Sequence, residues 1–162
     1  MDNKTASKPK VAFYWCASCG GCEEAVVDLE AKVLDVVAAV DIILWPVALD
    51  YKFKDVTSMK KGEIAVSFIN GAIRTADQEH VAKMLREKSV LVVAFGACAG
   101  MGGVPALANL TNKKKIFDCS YHSAPSVVNP DGTEPQLKTQ VDGLELELPL
   151  FYETVYKLSD VI

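Results

Sequence analysis

The amino-terminal two thirds of the chain alternates between short apolar runs and amphipathic segments. Three apolar runs rich in β-forming residues predict strands at 11–15, 40–45 and 64–69. A Cys/Gly cluster, a proline or an Asn-Gly pair follows each of these runs, as is typical of loops and turns. The pattern therefore predicts a series of short strands, each closed by a loop.

Helical periodicity fills the segments between the strands. From 23 to 38, apolar residues recur every three or four positions and charged residues mark the opposite face, which predicts one amphipathic helix. Thr75 and Gln78 have the spacing of a capping box, so a second helix should begin there and direct Val81 and Leu85 inward.

The run from 89 to 95 is almost continuously apolar, which predicts a central parallel strand covered on both faces. It leads directly into a glycine-rich segment at 96–103. A short helix at 105–110, a solvated basic turn at 113–115 and a further strand at 116–119 complete the predicted alternation.

Strands that alternate with helices over short connections predict a parallel sheet with right-handed crossovers. We therefore expect an α/β fold of the flavodoxin-like, doubly wound type, with three layers in the order α/β/α. Residues 1–9 should form a flexible N-terminus and 10–120 the domain itself. Residues 121–162 are rich in proline and glycine and should extend the same domain as loops, ending in a short helix around 149–158.

Composition excludes several classes of protein. The formal net charge of -4 leaves no basic stripe for phosphates, so we expect no nucleic-acid partner. The sequence contains no stretch of about 20 apolar residues, which is the length that a helix needs to span a bilayer. The first nine residues have neither an apolar signal core nor a twin arginine, which indicates a cytoplasmic protein. Five cysteines in that reducing compartment point to metal or redox chemistry rather than disulfides.

Three of the cysteines, Cys16, Cys19 and Cys22, lie at a predicted strand-to-helix turn. Thiolates are soft ligands that iron and zinc prefer, and Gly20 and Gly21 would let the backbone wrap closely around a metal centre. The positive end of the following helix should lower the thiol pKa values and offset the charge of an anionic cluster. A C-x-x-C pair alone is compatible with zinc, an iron-sulfur cluster or a redox dithiol.

A second chemical segment, G-A-C-A-G-M-G-G at 96–103, follows a different predicted strand. In parallel sheets, ligands lie beyond the carboxyl ends of the strands. We therefore expect Cys98 to converge in space with Cys19 and Cys22.

With both motifs in place, the sequence resembles the small subunit of nickel-iron hydrogenases and the related 20 kDa cluster-bearing subunit of respiratory complex I. Cys19 and Cys22 match the family's C-x-x-C, and Cys98 with Gly102 and Gly103 matches its G-x-C-x-x-x-G-G. The segments W-C-A-S-C-G-G-C-E-E and V-N-P-D-G-T-E-P-Q are most similar to cytoplasmic, methyl-viologen-reducing hydrogenases. The adjacent paired cysteines of the complex I version are absent.

The resemblance implies a role in electron transfer. Cys19, Cys22 and Cys98 would bind a 4Fe-4S cluster that takes electrons from the nickel-iron site of a separate large subunit and passes them to a downstream acceptor subunit. The residues that would surround these ligands are Gly20, Gly21, Glu23, Glu24, Gly102 and Gly103. Glu23 and Glu24 could serve a proton path or a large-subunit contact, or could be favourable carboxylates in the first helical turn.

The family's fourth ligand, a cysteine in a P-G-C-P-P segment, has no counterpart here. The chain ends at Ile162, about where the family approaches that segment, so we expect the sequence to stop before the last ligand. Cys16, Cys119 or an exogenous ligand could otherwise fill the fourth position. A spare thiol is the favoured interpretation of Cys16, and a small buried residue at a strand end that of Cys119.

Other functions remain open at this point. The same thiols could form a structural zinc site, or Cys19 and Cys22 a thiol-disulfide oxidoreductase centre. A complex I-like subunit and a flavin-binding flavodoxin analogue are further alternatives. Iron and sulfide analysis separates a cluster from zinc and from a metal-free dithiol.

Overall fold

The computed structural model describes residues 7–49 and 52–162. Its strands are β1 Lys10–Trp15, β2 Asp41–Leu44, β3 Ile64–Asn70, β4 Ile73–Thr75, β5 Ser89–Phe95, β6 Lys138–Val141, β7 Leu144–Glu147 and β8 Phe151–Tyr156. Its α-helices are α1 Gly21–Val27, α2 Val33–Ala39, α3 Phe53–Thr57, α4 Ala76–Lys88, α5 Ala97–Met101 and α6 Lys113–Asp118. Short 3-10 turns cover Glu30–Lys32, Pro105–Leu110 and Leu158–Asp160, and a π-helical turn covers Cys119–Ser123. Most of the predicted flexible N-terminus, residues 1–6, lies outside the described residues.

The central sheet is parallel and has the strand order β2-β1-β3-β5 in the described part of the chain. Its three longest strands end in register, because Asn70 pairs with Trp15 on one side and with Phe95 on the other. The loops that follow β1 and β5 therefore leave the same edge of the sheet, on either side of β3.

Apolar side chains cover both faces of this sheet, as the period of two along β1 requires. Tyr14 belongs to a buried cluster that includes Val81 of α4. Phe13 belongs to a second cluster, where its ring stacks on Phe68 at 5.1 Å and tilts against Trp45 at 4.7 Å. Burial of such a side chain stabilises the fold by about 1.5–3 kcal/mol. The predicted α/β class, a parallel sheet flanked by helices, is confirmed.

The helix predicted for 23–38 is wrong as a single element. Glu30 adopts a left-handed φ of 51°, which interrupts the i to i−4 hydrogen bonds between α1 and α2. Instead, the Leu29 N–H donates to Val26 and the Lys32 N–H to Leu29, as in a 3-10 turn. Leu29 and Val37, two of the apolar residues that recur at helical spacing in this segment, are 41% and 43% exposed. The capping box of Thr75 and Gln78 is confirmed at the start of α4.

Strand β5 was predicted to be central, but it lies at the edge of the sheet in the described residues. The strand predicted at 116–119 is instead part of α6, which begins where the Asn112 side chain accepts a hydrogen bond from the Lys115 N–H at 2.9 Å. No further described strand pairs with β5, and Val90 and Leu91 remain 68% and 53% exposed. The basic triplet is the first turn of α6 rather than a loop.

The segment 149–158, predicted as a helix, forms strand β8 and pairs antiparallel with β4. The side-chain guanidinium of Arg74 lies 4.3 Å from the centre of the Phe151 ring, which ties the two strands together. Before β8, strands β6 and β7 form an exposed hairpin. No helix within residues 7–49 and 52–162 is long and apolar enough to cross a bilayer.

Candidate metal centre

The loop that follows β1 is fastened to the end of β3 by backbone hydrogen bonds. The Cys16 N–H donates to the Asn70 carbonyl at 2.8 Å, and Ala17 and Ala72 exchange two bonds of 2.9 Å each. The loop then turns away from the sheet at Ser18. Its first half is therefore held as firmly as a strand, because ladder hydrogen bonds continue past Trp15.

Side chains fix the second half of this loop. The Ser18 hydroxyl donates to the side-chain carbonyl of Asn70 at 2.7 Å and accepts from the Gly20 N–H at 3.2 Å. The Asn70 amide donates to one carboxylate oxygen of Glu23 at 2.7 Å. The Trp45 indole N–H donates to the other oxygen at 2.9 Å. These five residues form one continuous polar network in a largely buried position.

Glu23 is only 3% exposed, whereas its neighbour Glu24 lies at the surface. Burial raises the pKa of the Glu23 carboxyl, and the hydrogen bonds from Trp45 and Asn70 act in the opposite direction. Glu23 is thus an internal anchor of helix α1, and Glu24 is a solvent-facing carboxylate of its first turn.

The three candidate ligands lie on two adjoining loops. Cys19 is exposed in the loop after β1, Cys22 is half-buried at the start of α1, and Cys98 is half-buried in α5. A Cβ atom on Gly96 would overlap the sulfur of Cys22, and one on Gly103 would lie 2.8 Å from the sulfur of Cys98. Because Gly96 and Gly103 lack side chains, the thiols of Cys22 and Cys98 can lie directly against the backbone at these positions. The Cys22 thiol thus rests on the backbone two residues before Cys98.

Burial and neighbouring charges act on the pKa of the Cys22 thiol. The pKa of the Cys22 thiol is raised first by burial, and then by the negative charges that Cys98, Cys19 and Glu23 would carry. The expectation that the start of α1 would lower the pKa of this thiol is therefore wrong for Cys22. A positively charged metal centre beside Cys22 would favour its thiolate form and so oppose these effects.

The other glycines predicted beside the ligands differ in what they touch. A Cβ on Gly21 would make an ordinary contact with the Cys19 sulfur at 3.5 Å. Gly20 instead lies against the indole of Trp15, which a Cβ would meet at 2.9 Å. Gly102 approaches Ala106 rather than a thiol. Gly21 and Gly103 therefore border the candidate ligands directly, and Gly20 and Gly102 shape the backbone around them.

Cys16 and Cys119 occupy opposite environments. Cys16 is packed in the core, where burial and the nearby Asp77 raise the pKa of its thiol to about 12. Cys119 is exposed in the turn after α6, so the expectation that it is a buried residue at a strand end is wrong. It is exposed because the predicted strand that would have buried it is a helix.

The donor set fits an iron-sulfur cluster at three positions. Thiolates are the usual ligands of these clusters, and the two glycine contacts leave room at the sulfurs of Cys22 and Cys98. Across 7–49 and 52–162, no three His, Cys, Asp or Glu side chains form a group that could hold a metal ion. A cluster offers a separate iron atom to each thiolate, which is a different geometry from that of one ion surrounded by its ligands.

Sequence reasoning missed two participants at this edge of the sheet. Asn70 was interpreted only as part of an Asn-Gly turn, and Trp45 as the last residue of the strand predicted at 40–45. A polar amide at the end of a strand that is otherwise buried is a recognisable pattern, since such a group must find hydrogen-bond partners. The identity of those partners depends on tertiary contacts that no local pattern contains.

This chain is similar to one characterised family and to subunits of several hydrogenases. The family model described as "NADH ubiquinone oxidoreductase, 20 Kd subunit" matches residues 19–147. The iron-sulfur subunit of the F420-non-reducing hydrogenase of Archaeoglobus profundus is 37% identical over 94% of this chain and 48% of its own length. An F420-non-reducing hydrogenase subunit of Methanothermobacter thermautotrophicus is 32% identical over 80% of this chain and 41% of its own length.

A solved structure shares the fold. The crystal structure of an NAD+-reducing NiFe-hydrogenase in the H2-reduced state contains a chain that matches 96% of this one with a TM-score of 0.77 and 24% sequence identity, over 78% of that chain. At that identity the likeness concerns the fold. The present chain spans about half the length of the curated relatives that it matches (48% and 41%).

Proposed function

This chain belongs to the family of the NADH ubiquinone oxidoreductase 20 kDa subunit. Because the relatives that it matches are hydrogenase subunits, we propose that it is an electron-transfer subunit of a nickel-iron hydrogenase. In this proposal Cys19, Cys22 and Cys98 bind a 4Fe-4S cluster. The nickel-iron large subunit is the electron donor, and a further subunit is the acceptor. The observation that carries the proposal is the position of the Cys22 thiol against Gly96, which joins the two cysteine loops.

Each part of the site has a physical task in this function. When bound, a 4Fe-4S cluster supplies a one-electron redox centre. The thiolates of Cys19, Cys22 and Cys98 provide the ligand charge, and the network around Glu23 keeps the first loop in place. The backbone at Gly96 lies against the Cys22 sulfur, and the backbone at Gly103 lies against the Cys98 sulfur.

The fourth ligand position is not assigned to a cysteine of this chain in our proposal. Cys16 packs among core residues, and a thiol with a pKa of about 12 is a poor source of thiolate. Cys119 lies beyond α6 rather than in a loop that follows a strand of the central sheet. We propose a donor other than these two thiols.

The resemblance of the segment around Cys19 to cytoplasmic hydrogenases supports a cytoplasmic location as part of the same proposal. The rival dithiol function would use only Cys19 and Cys22, and it gives no role to the Cys98 segment, although Gly96 of that segment lies against the Cys22 thiol. The rival structural zinc site predicts that metal analysis finds zinc instead of iron and sulfide.

The test is anaerobic reconstitution of the full chain with iron and sulfide, followed by metal and sulfide quantification and electron paramagnetic resonance after reduction. The chain should bind iron and sulfide and turn brown, and Cys98→Ala should lose both. Cys119→Ser is the matched control, since its thiol is exposed outside the site, and it should behave as the parent does. Equal iron incorporation in Cys98→Ala, or zinc in place of iron, would overturn the proposal.

A further inference from the structure

Asn70 is an amide in a position where an apolar side chain would be expected. It ends β3, is 1% exposed and pairs in register with Trp15 and Phe95. Its side chain donates to Glu23 at 2.7 Å and accepts from Ser18 at 2.7 Å. Both ends of the amide are therefore engaged, in a place where an unpaired polar group would be costly.

The two partners of Asn70 flank the candidate ligands. Ser18 immediately precedes Cys19, and Glu23 immediately follows Cys22. One side chain on the neighbouring strand thus connects the entrance and the exit of the segment that carries both thiols. The backbone bonds at Cys16 and Ala17 tie the chain to β3 only before this segment begins, and the Gly20 carbonyl accepts only from the nearby N–H groups of α1. The attachment of the segment to the sheet therefore depends on side chains.

We propose that Asn70 is a positioning residue: by bridging Ser18 and Glu23, it holds the segment between Cys19 and Cys22 in place, so that the Cys22 thiol rests against Gly96 in the loop that carries Cys98. The effect of the Asn70 bridge on a cluster rests on the proposed function, because only that function places a cluster at these thiols. The bridge itself is a property of the protein and can be tested without iron.

The chemistry of the amide explains why this residue type suits the position. The bridge requires a donor toward a carboxylate and an acceptor toward a hydroxyl on one short side chain, which asparagine supplies. Aspartate has nearly the same shape but would present a second carboxylate to Glu23. Alanine would leave both Ser18 and Glu23 without this partner.

The decisive measurement is the alkylation rate of Cys22 in iron-free protein, read by mass spectrometry relative to Cys119 in the same molecule. Cys119 is exposed and serves as the internal reference. In Asn70→Ala, the Cys22 to Cys119 rate ratio should rise about tenfold, because loss of a buried hydrogen-bonded bridge favours opening of the loop. Asn70→Asp should also raise the ratio, through repulsion from Glu23.

Ser67→Ala is the matched control on the same strand. Ser67 is buried and shares a hydrogen bond of 2.7 Å with Ser89, but it has no hydrogen bond to the cysteine loop. This variant should lower the thermal midpoint and leave the Cys22 to Cys119 ratio unchanged. If Ser67→Ala raises the ratio as much as Asn70→Ala does, general destabilisation accounts for the effect and the proposal is overturned.

A milder variant keeps the test valid if Asn70→Ala does not fold. Ser18→Ala removes only one end of the bridge and should raise the ratio about threefold. If the bridge is one unit, adding Asn70→Asp to Ser18→Ala should raise the ratio by less than the product of the single effects. Independent, multiplicative effects would contradict the bridge.

Reconstituted protein then separates this proposal from the proposed function. A cluster in Asn70→Asp should give altered electron paramagnetic resonance g-values or a shifted midpoint potential, while Ser67→Ala should match the parent. If the parent chain takes up no iron but the alkylation ratios change as expected, the bridge stands and the cluster function fails. If the parent takes up iron and the ratios do not change, the bridge fails and the cluster function stands.

Discussion

The two loops that carry the candidate ligands reach the same edge of the sheet, but they are held there by different means. The loop after β1 is fixed by hydrogen bonds among Ser18, Asn70, Glu23 and Trp45. The loop after β5 is shaped by missing side chains, since Gly96 and Gly103 approach the thiols so closely that a Cβ could not fit without movement.

This difference predicts different responses to substitution. A hydrogen-bond network loses one bond at a time, and each loss costs about 1–3 kcal/mol when a partner stays buried. Where a glycine backbone lies directly against a thiol, there is no such gradual loss. A single added methyl group must displace the thiol or the backbone. The first loop should therefore weaken in steps, and the second should fail at once.

The largest effect is expected for Gly96→Ala. Its backbone lies at φ 87° and ψ 172°, a region essentially restricted to glycine, and its new Cβ would overlap the Cys22 sulfur. We expect a loss of about 3 kcal/mol or more in the free energy of unfolding, and loss of iron uptake. Urea denaturation and iron quantification measure the two effects. Gly100→Ala is the control in the same motif, because nothing lies within 4 Å of its Cβ, and it should retain both properties.

Trp45→Phe tests the stepwise behaviour of the first loop. It keeps an aromatic ring beside Phe13 but removes the N–H that donates to Glu23. We expect a loss of about 1–2 kcal/mol in the free energy of unfolding of the iron-free protein. In a Glu23→Leu background the same change should cost much less, and an equal cost in both backgrounds would show that the hydrogen bond is unimportant.

Alkaline pH should destabilise the protein through Cys16, which lies at the start of the loop after β1. The pKa of Cys16 is about 12 in the folded protein and near 9 when unfolded, so between these values the unfolded state loses a proton that the folded state keeps. The contribution of the Cys16 thiol to the free energy of unfolding is fully present below pH 9. Above pH 9 it falls by about 1.4 kcal/mol per pH unit. Denaturation between pH 9 and 11 should show a steeper fall for the parent than for Cys16→Ala. Parallel slopes would contradict the prediction.

The smallest effect is expected for Gly21→Ala, a glycine in the first loop rather than the second. Its Cβ would meet the Cys19 sulfur at 3.5 Å, an ordinary contact, and alanine favours the helix that begins there. We expect a change within about 1 kcal/mol in the free energy of unfolding and unchanged iron uptake. A loss comparable to that of Gly96→Ala would remove the distinction between the loops.

Local patterns were sufficient to predict several elements. The β-forming run of β1, the Asn-Gly turn after β3 and the capping box of α4 all depend on neighbours in sequence. The edge position of β5 was missed because an apolar run indicates burial propensity and not which strand lies beside it. The left-handed Glu30 that divides the predicted helix has no local mark, since glutamate ordinarily continues a helix.

The candidate site divides in the same way. Cysteine and glycine spacing identified Cys19, Cys22 and Cys98, and their role as ligands remains a prediction. The bridge of Asn70 and the close approach of Gly96 arise from residues far apart in sequence, so the spacing of motifs could not contain them. The wrong expectation for the pKa of Cys22 has the same origin, because the burial and the neighbouring charges that raise this pKa depend on the tertiary structure.

Strand β3 is the spacer between the two cysteine loops, since β1 and β5 each pair with it. Two hydrogen-bonded strand spacings, on the order of 9–10 Å in total, therefore set how far apart the loops begin. That dimension comes from peptide geometry and is the same for any residues that keep 64–69 in a strand. Side chains at 64–69 can therefore be exchanged without changing the distance between the starts of the two loops, whereas Asn70, at the end of the same strand, holds the first loop itself.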